Sequence, residues 1–259
     1  MNFSAIYTIW EREIIRYWRD KTRIVSTIIQ PLTFLVIFGT GLRQVLAGSS
    51  LGIDFLKFMY PGIIAMNVMG VAFFSTISTV WDREFGFLKE ILVAPISRTS
   101  IAFGKALGAA TVASTQALLL LVLAPLIGLP LHLALIPNLI FFMLLLAFAI
   151  SGLGLLIASL LKSLESFGLI MQLLIFPMFF LSGAFFPMTT VPGWMKAIAA
   201  INPLSYGVDA LRGIILSGQI SATEASRIIV HSQPVNALYL VIFSVIMISA
   251  AVVAFNKRN

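Results

Sequence analysis

The chain has 259 residues, 59% of them hydrophobic and only 10% charged, with a mean hydropathy of +1.03. A soluble domain carries about 25% charged residues, so the composition excludes an ordinary soluble protein and predicts one all-α polytopic membrane domain over 1–259. The net charge of +7 lies in a few basic clusters, which read as membrane orientation before nucleic-acid binding, and the lack of Cys leaves no disulfide or thiolate metal site.

Residues 3–22 predict an interfacial helix. Phe3, Ile6, Tyr7, Trp10, Ile14, Tyr17 and Trp18 recur at three- and four-residue spacing, and Glu11, Arg12, Arg16 and Arg19 take the remaining surface. Charge throughout this stretch leaves no apolar core for a cleavable signal. A membrane-crossing helix needs about 20 mostly apolar residues. Runs of that kind fall at about 24–42, with Pro31 inside, and at 58–80, opening near Pro61-Gly62. The uncharged run from Ala106 to Leu161 is too long for one span. Pro125, Gly128, Pro130 and Pro137 divide it into about 106–127 and 138–161. After the polar break at Lys162 to Ser166, spans at about 167–186 and 235–255 complete six.

Between the second and third spans lies the densest charge outside the N-terminus, Trp81 to Lys105. As a helix up to Pro95 it places Trp81, Phe85, Leu88 and Leu92 on one stripe, opposite Asp82, Arg83, Gly86, Lys89 and Glu90. Pro95 ends the pattern, and Ser97, Thr99 and Ser100 offer caps for the next helix. The reading is a short amphipathic helix resting on the membrane domain; the alternative is a solvated connecting loop.

After the fifth span, Pro187, Pro192-Gly193 and Asn202-Pro203 break a half-apolar segment into pieces too short to cross. Two short helices, about 192–200 and 204–217, either dip into the outer leaflet and return or lie as a hairpin on the membrane. Residues 218–234 read as an exposed polar loop. With the N-terminus inside, the inside segments hold twelve Lys and Arg; the outside ones hold Arg43, Lys57, Lys196, Arg212 and Arg227. Both termini and the Trp81–Lys105 stretch are therefore expected in the cytoplasm.

No span so drawn carries Asp, Glu, Lys or Arg, which argues against a proton-driven transporter and an intramembrane enzyme. His132 and His231 are far apart, and no metalloprotease, nucleophile-elbow or phosphate-loop pattern occurs, so no catalytic or metal residue is expected. Ser26, Gln30 and Thr33 share a side of the first span, and Asn67, Phe74 and Ser78 a side of the second. Those faces are either helix-packing contacts or the lining of a path for an amphiphile. Phe179, Phe180, Phe185 and Phe186 cluster before Pro187, and Trp194 follows Pro192-Gly193. With the Asn202-Pro203 turn they are candidates for an outer gate.

A membrane path, no energy source and an amphipathic cytoplasmic helix suggest a subunit driven by a separate engine. The stretch Glu84 to Pro95 resembles the signature of ABC-2 type transporter permeases, roughly E-x-G-[ST]-L-E-x-L-L-x-[ST]-P. Glu84, Gly86, Leu88, Leu92 and Pro95 match; Phe87, Lys89, Ile91 and Ala94 depart from it. Leu181–Pro187, Pro192–Trp194 and Asn202–Gly213 resemble the fifth-span and outer-helix region of the same family, nearest its drug-resistance and nodulation-factor export branch. The resemblance implies the permease subunit of a bacterial exporter in the inner membrane, paired with itself and with two copies of a separate ATP-binding subunit. ATP and Mg would then sit on that subunit, with no cofactor in this chain. Glu84, Gly86, Leu88, Lys89, Glu90, Leu92 and Pro95 would form the coupling helix that carries motion to the first, second and fifth spans. A polysaccharide or lipid-linked glycan exporter and a non-transporting membrane scaffold are the alternative readings.

Overall fold

The computed structural model of the chain describes residues 2–46, 55–86, 96–130, 132–161 and 163–257. Among these, every regular element is helical. Asn2 caps α1 (Phe3–Arg19) by accepting from the Ala5 N–H, and the helix ends at Asp20 before α2 (Lys21–Leu46). The long α3 (Phe55–Glu84) follows. Ser97, one of the offered caps, accepts from the Ser100 N–H and starts α4 (Arg98–Leu121). Two 3-10 turns, Ala124–Ile127 and Leu133–Leu135, lead to α5 (Ile136–Leu160). Ser163 caps α6 (Leu164–Phe180). Then come α7 (Gly193–Ile201), α8 (Pro203–Ile215), α9 (Ala222–Ile228) and α10 (Gln233–Lys257).

Four stretches among the described residues are helical, long and apolar enough to cross a membrane: Phe55–Glu84, Arg98–Leu121, Leu133–Leu160 and Ala222–Asn256. The apolar α6 is shorter. The outward faces stay apolar, with Ile29 on α2, Leu169 and Leu173 on α6, and Leu238, Ile242 and Val245 on α10 all exposed. A bundle whose exposed surface is this apolar suits lipid as its solvent.

The core is built around α3. Ile64, Ala65, Val68, Met69, Ala72 and Phe73 are fully buried, and α3 packs against α2, α4, α5, α6 and α8. The N-terminal helix docks on α4 across Gly104 and Gly108. A Cβ at Gly104 would stand 2.9 Å from Ile9 Cβ, and one at Gly108 would stand 2.7 Å from Glu13 Cβ. These two glycines, one helical turn apart, let the backbones approach closely. The chain ends meet the same end of the bundle: the Asn2 N–H donates to Ser100 Oγ, and Arg98 donates to the Phe255 carbonyl beside it.

Several expectations change. The Trp81 to Pro95 stretch is not one helix. Residues 81–84 are the last turn of α3, and the helix stops there because Gly86 adopts φ +83°, where its N–H reaches back to the Arg83 carbonyl. Residues 87–95 lie outside the described residues. The fifth span ends at Phe180 rather than 186, because Ser182 and Gly183 (φ +81°) turn the chain. The stretch 218–234 is not a plain loop. Ser221 and Glu224 form a reciprocal capping box that starts α9, and Ile228 is buried. The helices run on past the charge-free spans as drawn: α3 continues through Asp82, and α4 begins early enough to place Lys105 two turns inside it.

Candidate functional site

The last turn of α3 reaches four other helices through four consecutive side chains. Trp81 lies under the Arg16 guanidinium of α1, 4.3 Å from the ring centre. Asp82 Oδ2 accepts from Lys105 Nζ of α4 at 2.7 Å and from Arg12 of α1 at 2.8 Å. Arg83 donates to the carbonyls of Ala158, Ser159 and Leu161, the free carbonyl end of α5. Glu84 Oε2 accepts from the Leu164 N–H, the first amide of α6, at 3.3 Å. The last two contacts match sign to helix end: a cation meets carbonyls at a C-terminus, and a carboxylate meets an amide at an N-terminus.

Beneath this turn lies a closed ion cluster. Lys105 is only 3% exposed. Its Nζ meets Asp82 at 2.7 Å, Glu13 Oε1 at 3.6 Å and Ser78 Oγ at 3.2 Å. Glu13 also accepts from Ser78 at 3.1 Å and from Arg12 at 3.3 Å. Two cations and two carboxylates thus balance, a condition under which buried charge is tolerated. Arg12 has its pKa raised: burial opposes its charge, but Asp82 and Glu13 outweigh that. A second chain of bonds links the same helices to α2. The Tyr17 hydroxyl donates to Gln116 Oε1, the Gln116 amide donates to Thr27 Oγ1, and Asn67 Nδ2 donates to the Thr27 carbonyl.

Of the residues expected to couple the chain to an engine, Glu84 and Gly86 stand at the tip of this turn. Leu88, Lys89, Glu90, Leu92 and Pro95 lie outside the described residues. Of those on the polar faces, Gln30, Asn67 and Phe74 line a hollow of about 80 Å³ between α2 and α3. Ser26, Gln30 and Phe74 line a second, of about 300 Å³, which reaches Arg23 and Trp81. Thr33 lines neither and donates to the Ile29 carbonyl. Ser78 departs from the expected face: α1 crosses α3 at its level, so it is buried under Glu13 in the ion cluster.

The aromatic and turn residues expected at the outer gate also divide. Phe185 is buried edge-on against Phe179, 4.6 Å between centres, and stacks on Phe180. Asn202 is at once the last cap of α7 and the first of α8. It accepts from the Leu204 N–H and donates to the Met178 carbonyl, with Pro203 at the first position of α8. Pro187 and Pro203 are buried; Phe186 and Trp194 are exposed. The ion cluster is what sequence reasoning missed. Its signal was present: Glu13 falls on the stripe of Ile6 and Tyr17, and Lys105 sits between Gly104 and Gly108.

Comparison with known proteins agrees with this architecture. Residues 4–216 match the family described as ABC-2 type transporter. The chain is 31% identical over 218 residues to nodulation protein J of Rhizobium leguminosarum bv. viciae, covering 82% of this chain and 83% of that one. It is 31% identical over 213 residues to the ycf38 transport permease of Cyanophora paradoxa, covering 81% and 73%. It is similar to a protein named as a multidrug ABC transporter permease, YbhR of Escherichia coli, at 31% identity over 63% of this chain and 45% of that one.

Proposed function

Since the chain belongs to the ABC-2 type transporter family, we propose that it is the membrane subunit of an ATP-driven exporter that moves an amphiphilic or hydrophobic compound out of the cytoplasm or inner leaflet. Permeases of this family work with ABC ATP-binding subunits. The chain pairs with itself and with two copies of such a subunit, which holds ATP and Mg. Six helices cross the bacterial inner membrane in each copy: α2, α3, α4, α5, α6 and α10. Both termini and the Trp81–Lys105 stretch face the cytoplasm.

The observation that carries the reading is the last turn of α3. Its four side chains grip α1, α4, α5 and α6, and in sequence it leads into residues 87–95 of the coupling segment. A push on that segment by a closing ATPase pair passes directly into four helices. Because the charges beneath are paired, with Glu13, Asp82 and Lys105 buried, the turn behaves as a stiff handle. In this reading the motion passes to the second and fifth spans, α3 and α6, and also to α4, α5 and the N-terminal helix. The hollows between α2 and α3, lined by Gln30, Asn67 and Phe74, form the wall of the path. Phe186 and Trp194, exposed at the far end, are its outer gate, with Phe185 as their buried support.

The test is reconstitution of the chain with its ATP-binding subunit in vesicles. The wild type should export an amphiphilic dye only with ATP, and the permease alone should hydrolyse none. Glu84→Lys should insert normally but lose export and bind the ATP-binding subunit more weakly, because it reverses the charge of an exposed carboxylate that would face a cation on that subunit. Normal export by a well-expressed Glu84→Lys protein would reject the coupling role. Orientation is checked by single-Cys labelling on intact cells: Ser221→Cys should react from outside and Ser97→Cys should not. The reverse pattern overturns the topology.

A further inference from the structure

At the end of the bundle away from the ion cluster, α8 carries a buried cation of a different kind. Arg212 is 2% exposed and lies over the Phe58 ring, 4.0 Å from its centre. Its Nη2 donates to the carbonyls of Gly183, Phe58 and Ala184, but its Nε is buried without a partner. No carboxylate among the described residues forms an ion pair with it. Asp209, one turn earlier, is already spent: it accepts from the Val230 and His231 N–H groups and from Asn236 Nδ2. Asp209 is near enough to favour the Arg212 charge electrostatically, though burial outweighs it; a buried charge without a direct ion pair is expensive, and such sites are normally neutralised or occupied.

Arg212 borders a cavity of about 240 Å³. Ser205 lines the same cavity, and its buried Oγ also has no partner. Lys196 stands exposed on the wall, held by the Thr189 carbonyl at 3.2 Å. Met188, Ile228 and Val230 make much of the remainder apolar. Asp209 and His231 also line the cavity, the carboxylate being taken up by its three donors; a guanidinium without an ion pair, a second cation and an idle hydroxyl set among apolar walls still define a ligand: an oxyanion head attached to an apolar body. We propose that this cavity between α7, α8 and α9 binds the phosphate or carboxylate head of an anionic amphiphile. The guanidinium and the Ser205 hydroxyl would donate to the head, and Lys196 would draw it in. The site needs no ATP-binding subunit, so it stands or falls apart from the export reading.

The test uses the full chain purified in a maltoside detergent, with thermal unfolding followed by tryptophan fluorescence. The probes are dihexanoyl phosphatidic acid, dihexanoyl phosphatidylcholine and inorganic phosphate. Phosphatidic acid should raise the midpoint saturably and phosphatidylcholine should not. A response to phosphatidic acid at concentrations where phosphate does nothing assigns the site to an amphiphile; an equal response to phosphate assigns it to a free oxyanion. Arg212→Lys should weaken phosphatidic acid binding about tenfold, the size of one lost charge-assisted hydrogen bond. Ser205→Ala and Lys196→Gln should weaken it less, and they decide the matter if Arg212→Lys does not fold. Equal shifts with both lipids, or undiminished affinity in both Ser205→Ala and Lys196→Gln, would overturn the site.

Discussion

Lys105 at one end of the bundle and Arg212 at the other are almost equally buried, at 3% and 2% exposure, yet their surroundings differ in kind. Lys105 sits between two carboxylates that are themselves held by Arg12 and Ser78. Arg212 meets only carbonyls and a ring, and a cavity opens beside it. A saturated cluster has nothing left to offer a ligand, so its contribution is to fix helices relative to one another. An unsaturated one keeps bonding capacity in reserve. The same chemistry therefore makes a strut at one end and a receptor at the other.

That contrast can be broken most forcefully at Lys105. Lys105→Met leaves the buried Glu13 and Asp82 sharing the half-exposed Arg12, and loss of one member of a buried pair costs about 3–5 kcal/mol. The expected result in chemical unfolding is a large fall in the midpoint, partly restored by adding Glu13→Gln. A midpoint unchanged from wild type would show that the cluster is not a strut. Next comes Gly108→Ala, which forces a methyl into Glu13 Cβ 2.7 Å away. Overpacking of this kind should cost about 2–3 kcal/mol and lift α1 from α4, read as increased labelling of a Cys placed at Ile9. Arg212→Met strands no anion, because Asp209 keeps its three donors. It should cost only about 1–2 kcal/mol for the orphaned carbonyls. A loss as large as that of Lys105→Met would erase the distinction between the two ends. The smallest effect is expected for Arg16→Ala, which removes the cation above Trp81 at a half-exposed site. About 0.5–1 kcal/mol is expected, seen as a small midpoint shift with changed Trp81 fluorescence.

How much of this was legible in the sequence depends on the range of the interaction. The Asn202-Pro203 turn could be read because proline lacks an N–H and disfavours helix in the residue before it. The amphipathic N-terminal helix could be read from its spacing. Its docking partner could not, although Gly104 and Gly108 were in view, because a small-residue pair does not say which helix will lie on it. The same limit explains the ends of the spans. Uncharged runs mark where lipid requires apolar residues, but a helix continues past them wherever a charge finds a counterion. That is how Asp82 and Lys105 came to lie inside helices.

The sequence by itself determined that this is a helical membrane protein of the ABC-2 type, with a charged segment after its second apolar run and broken helices after its fifth. These are local properties, set by composition, periodicity and the backbone's need to satisfy its own hydrogen bonds away from water. Only the tertiary structure decided that Trp81 to Glu84 grip four helices, that Ser78 belongs to an ion cluster, and that Arg212 makes no ion pair among the described residues. Burial and pairing of charge are properties of neighbours. Glu13, Asp82 and Lys105 are far apart along the chain, and their charges cancel only where α1, α3 and α4 meet.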